Sequence, residues 1–583
     1  MNCHSVGQPC RNFQILGIAQ FNDPRDGGRE KVVLSNFASG AIGSIVIVDP
    51  ATGSGEAIDL PGDNGAWAVL NWRNERLLIG TCGQYGYLHS LDLVTRQWDP
   101  PLRDANEQYI WNLCVGSDGR VYGGTYPGCV LLCYDPEKRT LVNLGRVSDH
   151  KDNLYSRMVY GGIPGHILVS CGTADAHLSL WNIATGTWRR FGRPGAAVKE
   201  IGADFICLQT GTELDFHDLQ TLAPLPGDNT GRLAPAGRPA RYTGMSFSVT
   251  LADGRTLATR GQEYYLDDGG AAAPPLHAIP APRPATHILT IAADAQGRIW
   301  GSAGFGQTIF CYDAAVSEPW NSQVVCNNGG EVYGIAAIGN RLFLACYSGG
   351  DHVVYDPSQS WNQIDNVNPR TLAPVGPELI RPAGRSVVGP DGNFWTGWMA
   401  RYGTYGGGLS RVDINSLEMT RWYDPIPNQA VVGLAADARY LYFITGGGAN
   451  GLPTLEEPLH FGVFSPDGSL VWEQVHPRGV ALRSVAAVAG RAVLAVDQRI
   501  EVYDPQARRQ ERAVELEIPC HYAAALSATE AALFCGHQLW RFNPLSGDRV
   551  FVGDLPGQVN TMAVTPQGQV YAAIGTELLR LDL

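Results

Sequence analysis

Histidine, tyrosine and arginine crowd into one stretch of this chain, residues 82 to 177. These side chains can exchange protons near neutral pH or grip an anion through a planar fork of donors. The stretch contains Gly83-Gln84-Tyr85-Gly86-Tyr87-Leu88-His89 and Gly124-Thr125-Tyr126-Pro127-Gly128. It continues with His150-Lys151-Asp152-Asn153-Leu154-Tyr155-Ser156-Arg157 and Gly172-Thr173-Ala174-Asp175-Ala176-His177. Aligned on the Asp or Asn that closes the next strand, Tyr87, Val130, His177 and Asp351 share one position. His89 lies two residues beyond Tyr87, on the same strand face, and His352 falls on the opposite face. Three polar groups replacing an apolar one at equivalent hairpins outline a lined mouth. Each residue has a plainer reading as well. Hairpin tips tolerate many side chains, Arg157 at a strand entrance suits a salt bridge, and Tyr155, Trp67, Trp111 and Trp395 suit packing as well as stacking.

No motif with a self-sufficient mechanism accompanies them. The sequence has no His-Glu-x-x-His, P-loop, Gly-x-Ser-x-Gly, Cys-x-x-Cys or EF-hand loop. A metal-dependent hydrolase would need several carboxylates and amides at inner-strand entrances. Asp63, Asn64, Asn106, Glu107 and Glu331 could contribute, but their register is not compelling, so the reading is metal-free and without cofactor.

The elements that must position these residues come from a repeat. In residues 118–136 a Gly turn leads into Arg120-Val121-Tyr122-Gly123-Gly124, then into Leu131-Leu132-Cys133-Tyr134-Asp135-Pro136. The pattern returns at Gly297-Arg298-Ile299-Trp300, Asn340-Arg341-Leu342-Phe343, Gly490-Arg491-Ala492-Val493 and Gly568-Gln569-Val570-Tyr571. With weaker copies it recurs roughly thirteen times, about 40 to 50 residues apart. Gly supplies the positive φ of a tight turn, alternation makes the strand, and Asp-Pro stops it. Four short strands per period specify an all-β fold of β-propeller blades.

Thirteen blades are too many for one ring, so two tandem propellers are expected, about six blades and then seven. The boundaries read as a first propeller over 1–268, a Pro/Ala-rich linker over 269–285 and a second propeller over 286–583. The stretch 225–241 is a rival boundary. The last unit ends one strand short, so the N-terminal region, with 13–21 as the candidate strand, is expected to close the second ring.

Composition narrows the function classes. The chain has 583 residues, 44% apolar and 17% charged, with 70 Gly. That is a globular chain rich in turns. Its net charge of −13 argues against nucleic acid as a partner. The N-terminal Met1-Asn2-Cys3-His4-Ser5 has no leader pattern, and no run of about eighteen apolar residues points to a membrane. The 13 Cys sit mostly in apolar runs and read as buried thiols of a reducing, cytoplasmic compartment.

Across roughly residues 60–190, the run Tyr109-Ile110-Trp111-Asn112-Leu113, the turn and strand Asp118-Gly119-Arg120-Val121-Tyr122-Gly123-Gly124-Thr125-Tyr126-Pro127-Gly128, and Tyr134-Asp135-Pro136 resemble the β-propeller polysaccharide lyases. The rhamnose–glucuronate and ulvan lyases are the members named. The resemblance implies β-elimination at a uronate in an oligosaccharide or small glycoside substrate. It implies His89 or His177 as base or acid, with Tyr155 or Tyr126 as partner. It further implies Arg157 as carboxylate clamp, with Tyr85, Tyr87, Trp111 and Tyr109 around the sugar. The alternatives are a non-catalytic tandem-propeller scaffold for protein partners, a lactone C–O lyase, or a metal-dependent lactonase.

Overall fold

The computed structural model describes residues 2–83, 85–235 and 240–583, so Met1, Gln84 of the first hairpin and residues 236–239 of the rival boundary lie outside the described residues. The described residues form thirteen antiparallel sheets. In chain order, blades 1 to 6 span 14–59, 66–103, 109–146, 155–191, 197–218 and 248–278. Blades 7 to 13 span 288–321, 332–371, 379–423, 430–476, 482–515, 520–554 and 561–582. Most sheets have four strands; blade 5 has three and blade 9 five.

Blade 3 shows why this sequence makes such a unit. Gly119, at φ +79°, turns the chain into the strand Val121–Tyr126. The strand Val130–Asp135 then ends where the Asp135 carboxylate accepts from the backbone N–H groups of Glu137 and Lys138, each 3.1 Å away. Asp92, Asp218, Asp413 and Asp504 end their strands in the same way. The middle strands depart from the expected alternation. Val130–Asp135 is buried on both faces up to its last residue, while the outer strand Thr140–Arg146 is half exposed. Most sheets pack between two neighbours, so both faces of their middle strands are core.

The apolar clusters trace two rings. Packing joins blades 7 and 8, 8 and 9, 9 and 10, 10 and 11, 11 and 12, 12 and 13, and finally 13 and 7, which closes a seven-bladed propeller. In the other propeller, blades 1 to 5 pack in sequence and blade 6 packs back on blade 1, while no apolar cluster of the described residues joins blades 5 and 6. Phe205, Cys207 and Phe216 of blade 5 are covered by Leu225 and Leu233. Tandem propellers are therefore the architecture.

Blade 13 is completed by the N-terminal strand Asn2–Gly7, which pairs antiparallel with Glu577–Asp582 from Asn2↔Asp582 to Gly7↔Leu578. Residues 13–21 do not fill this place. They lie mainly in Gln14–Asp23, the inner strand of blade 1. The chain then crosses from one ring to the other twice, over 8–13 and again over 279–287. The crossings bind each other: Asn12 N–H donates to Pro284 O at 3.1 Å, Thr286 N–H donates to Cys10 O at 3.0 Å, and Arg11 bridges Ala285.

Deleting residues 2–7 strips the partner from the strand Glu577–Asp582 and bares a sheet edge. The expected outcome is a loss on the order of 3 kcal/mol in the seven-bladed ring and concentration-dependent self-association. Thermal melting and light scattering at two protein concentrations check both.

Candidate functional site at the ring junction

One irregularity recurs at the start of the inner strands. In blade 3, Ile110 pairs with Thr125 and Asn112 with Gly124, so Trp111 has no partner in the ladder. The same one-residue bulge isolates Leu16, Trp67, Arg157, Tyr333 and Ile380 in blades 1, 2, 4, 8 and 9. A bulge bends its strand and re-aims one side chain. Here it turns residues out of the sheet and into the space between the rings: Leu16, Trp67, Trp111, Arg157 and Ile380 all line one cleft of about 1140 Å³.

Both rings build this cleft. The six-bladed side adds Tyr109, Tyr126 and Tyr155; the seven-bladed side adds Glu331, Tyr347, Arg381, Met399 and Tyr402. The aromatic wall is continuous. Trp111 lies 5.2 Å from Trp67, 5.1 Å from Tyr109 and 5.8 Å from Tyr155 between ring centroids. Tyr126 lies 4.9 Å from Tyr155, and the Tyr347 and Tyr402 hydroxyls meet at 2.5 Å. The rings touch on both sides of the cleft. On one side Asn12 donates to Phe305 O at 2.6 Å, and Phe37 meets Phe305 edge-on at 5.1 Å. On the other, Thr173 Oγ1 donates to Gly451 O at 2.7 Å.

The cleft's charged residues are Arg157, Arg381 and Glu331. Arg157 lies over the Trp111 ring at 5.2 Å and Arg381 over the Tyr347 ring at 4.1 Å. Arg381 Nη1 donates to the Tyr333 hydroxyl at 3.2 Å. Burial pushes the Glu331 carboxyl up to about 7, with Arg381 pulling the other way. Burial also raises Tyr109 to about 12 and moves Tyr155 in the same direction. These phenols therefore stay protonated at neutral pH.

Five of the nine residues singled out in the sequence meet here: Tyr109, Trp111, Tyr126, Tyr155 and Arg157. The other four do not line the cleft. His89 is fully buried, and its Nε2 meets Asp63 Oδ2 at 2.5 Å, which ties blade 2 to the loop leaving blade 1. His177 is 3% exposed, with Nδ1 at 2.9 Å from Asp175 O. Tyr85 and Tyr87 pack against Arg103, 4.4 and 5.5 Å from the ring centroids. The positions of Tyr87, His89 and His177 thus do not face the cleft, while Gly83 and Tyr126 of the same set of hairpins do. The seven-bladed wall was missed, although one signal could have shown it. Tyr347 stands six residues after the turn arginine Arg341, as Tyr126 stands six after Arg120.

Of the metal candidates, Asp63 is held by His89, Glu107 accepts from Gly128 N–H at 3.1 Å, and Asn64 donates to Ala41 O at 2.6 Å. Among the described residues, one cluster has ligand-like spacing: Asp149, Asp175 and His177. The Arg190 guanidinium already meets both of its carboxylates at 2.5 Å and stands where a cation would.

No family model matches this chain, and no curated protein matches it. Solved structures that match include the Neurospora crassa Pan2 WD40 domain, at 10% identity and TM-score 0.39, covering 51% of this chain and 89% of that one. Another is the Myceliophteria thermophila Cps50 (Swd1) β-propeller domain, at 12% identity and TM-score 0.38, covering 51% and 96%. The first is a WD40 domain and the second a β-propeller domain, and neither is a polysaccharide lyase. The resemblance drawn from residues 60–190 is corrected accordingly: its Asp-Gly and Tyr-Asp-Pro signals are blade chemistry that recurs throughout this chain.

Two measurements follow from the geometry. His89→Ala leaves Asp63 without its buried partner and opens a cavity, so it should cost about 2–4 kcal/mol of stability; thermal melting reads this. Glu331 holds its proton more tightly folded than unfolded, so stability falls as pH rises from about 4.5 toward 7 and the penalty persists above that. Glu331→Gln removes the penalty. Its stability, read from thermal melts, should match the parent's near pH 4 and exceed it at pH 8 by at most about 3 kcal/mol.

Proposed function

We propose that this chain is a binding scaffold that holds a segment of a partner protein in the cleft between its two propellers. The observation that carries this reading is a concave, aromatic-walled cleft of about 1140 Å³ to which both rings contribute. Its volume exceeds the roughly 300–1,000 Å³ of small-molecule pockets. Trp, Tyr and Arg are the residues in which the binding energy of protein interfaces concentrates. They make up much of this wall, and the bulges present them from the strand ends instead of burying them between blades. Neither His89 nor His177 lines the cleft, so its own chemistry rests on stacking and anion contact.

A photo-crosslinking residue at Tyr402, inside the cleft, is compared in cells with one at the exposed turn residue Val94. The expected outcome is a defined adduct from the cleft position alone, lost when Trp111→Ala is added. That truncation should cost about 2 kcal/mol in binding, near thirtyfold in Kd. The same adducts from both positions, or none from the cleft, count against the scaffold.

A further inference from the structure

This inference rests on the cleft being a partner-binding surface and concerns the chemistry of what it holds. The chain carries 56 acidic against 43 basic residues, and arginines across its surface are engaged by carboxylates. Arg96 pairs with Asp23 at 2.7 Å, Arg190 with Asp149 and Asp175 at 2.5 Å, and Arg491 with Glu511 at 2.6 Å. Other arginines without an ion pair, such as Arg73 and Arg103, also lie over aromatic rings, but Arg157 and Arg381 are the two that line the cleft. Neither forms an ion pair among the described residues. Each lies over an aromatic ring, and the Arg381 Nε has no hydrogen-bond partner there. Glu331 is near Arg381 without bonding it, and its Oε2 is also without a partner. Burial raises this carboxyl to about 7, so below neutral pH it neutralises the guanidinium only in part.

The two guanidiniums stand on opposite rings, one on the inner strand Tyr155–Ile163 and one on Leu379–Arg381. A guanidinium fixed by stacking is preorganised for a carboxylate, although on Arg381 one Nη1 donor already goes to the Tyr333 hydroxyl at 3.2 Å. In a cleft with low-dielectric walls, two such cations form a local positive field inside an acidic protein. We propose that the occupant of the cleft is an acidic peptide segment, with one carboxylate on Arg157, another on Arg381, and the side chains between them against the aromatic walls.

The probe is a fluorescein-labelled, acetylated and amidated eight-residue peptide alternating glutamate and tyrosine, followed by anisotropy on the full chain. Copies with glutamine or lysine for glutamate serve as controls. The expected result is binding of the acidic peptide, at least tenfold weaker binding of the glutamine copy, and weaker still of the lysine copy. Arg157→Gln and Arg381→Gln should each weaken the acidic peptide about tenfold. Arg73→Gln, which lies over Trp72 and does not line the cleft, should leave it unchanged. Thermal melts verify folding, and Arg157, being exposed, keeps the test open if Arg381→Gln fails to fold. Equal binding of the glutamine copy, sensitive to Trp111→Ala, would overturn the acidic occupant while leaving the scaffold reading standing. Binding of none of the three peptides would overturn both. Displacement by inorganic pyrophosphate at concentrations below the peptide's own Kd would assign the guanidinium pair to phosphate and overturn the carboxylate proposal.

Discussion

The site depends on the chain crossing twice between its propellers and on the two crossings binding each other. A single linker would leave the rings free to swing, because contacts between domains are ordinarily weak. Here the N-terminal strand belongs to blade 13, so residues 8–13 must return to blade 1 beside the later crossing, and the backbone bonds at Cys10, Asn12, Pro284 and Thr286 join them. Asn321 takes both ends of the same segment, accepting from Arg11 N–H at 2.8 Å and donating to Pro9 O at 3.0 Å. Blade 6 adds Met245 N–H to Asn327 O at 2.8 Å and Gln323 to Glu263 at 2.9 Å, and Thr173 bonds Gly451, so the rings are pinned at several places around a shaped cleft.

The bulges turn that space into a site. A regular inner strand would bury Trp111 and Arg157 between blades or face them along the channel wall. One skipped residue lifts each out at the strand's start. The cost is local loss of pairing, and the return is a surface of large aromatic rings held by rigid sheets.

Much of the fold was legible because its signals are local. The Asp-Gly turns, apolar strands and Tyr-Asp-Pro stops need only neighbouring residues to work, and they marked blade after blade. The choice of closing strand depends on which segment is left after blade 1 is built, and that is decided across the whole chain. Site residues split along the same line. Tyr109, Trp111 and Arg157 were found because inner-strand entrances can be located from the repeat. His89 and His177 lie where expected along the sequence, yet their side chains go to Asp63 and to the Asp175 backbone, because strand parity and packing between blades set the face. The opposite wall at Tyr347, Arg381 and Tyr402 could be paired with blades 3 and 4 only once the rings were set against each other.

The most direct measurement is hydrogen exchange with and without the bound peptide, resolved by segment. A cleft shared by two rings predicts simultaneous slowing in Tyr109–Val115 and Tyr155–Ile163 on one ring and at Tyr347 and Leu379–Tyr402 on the other, with the strand carrying His89 unchanged. Protection confined to a single propeller, or falling on the outer strands, would contradict it.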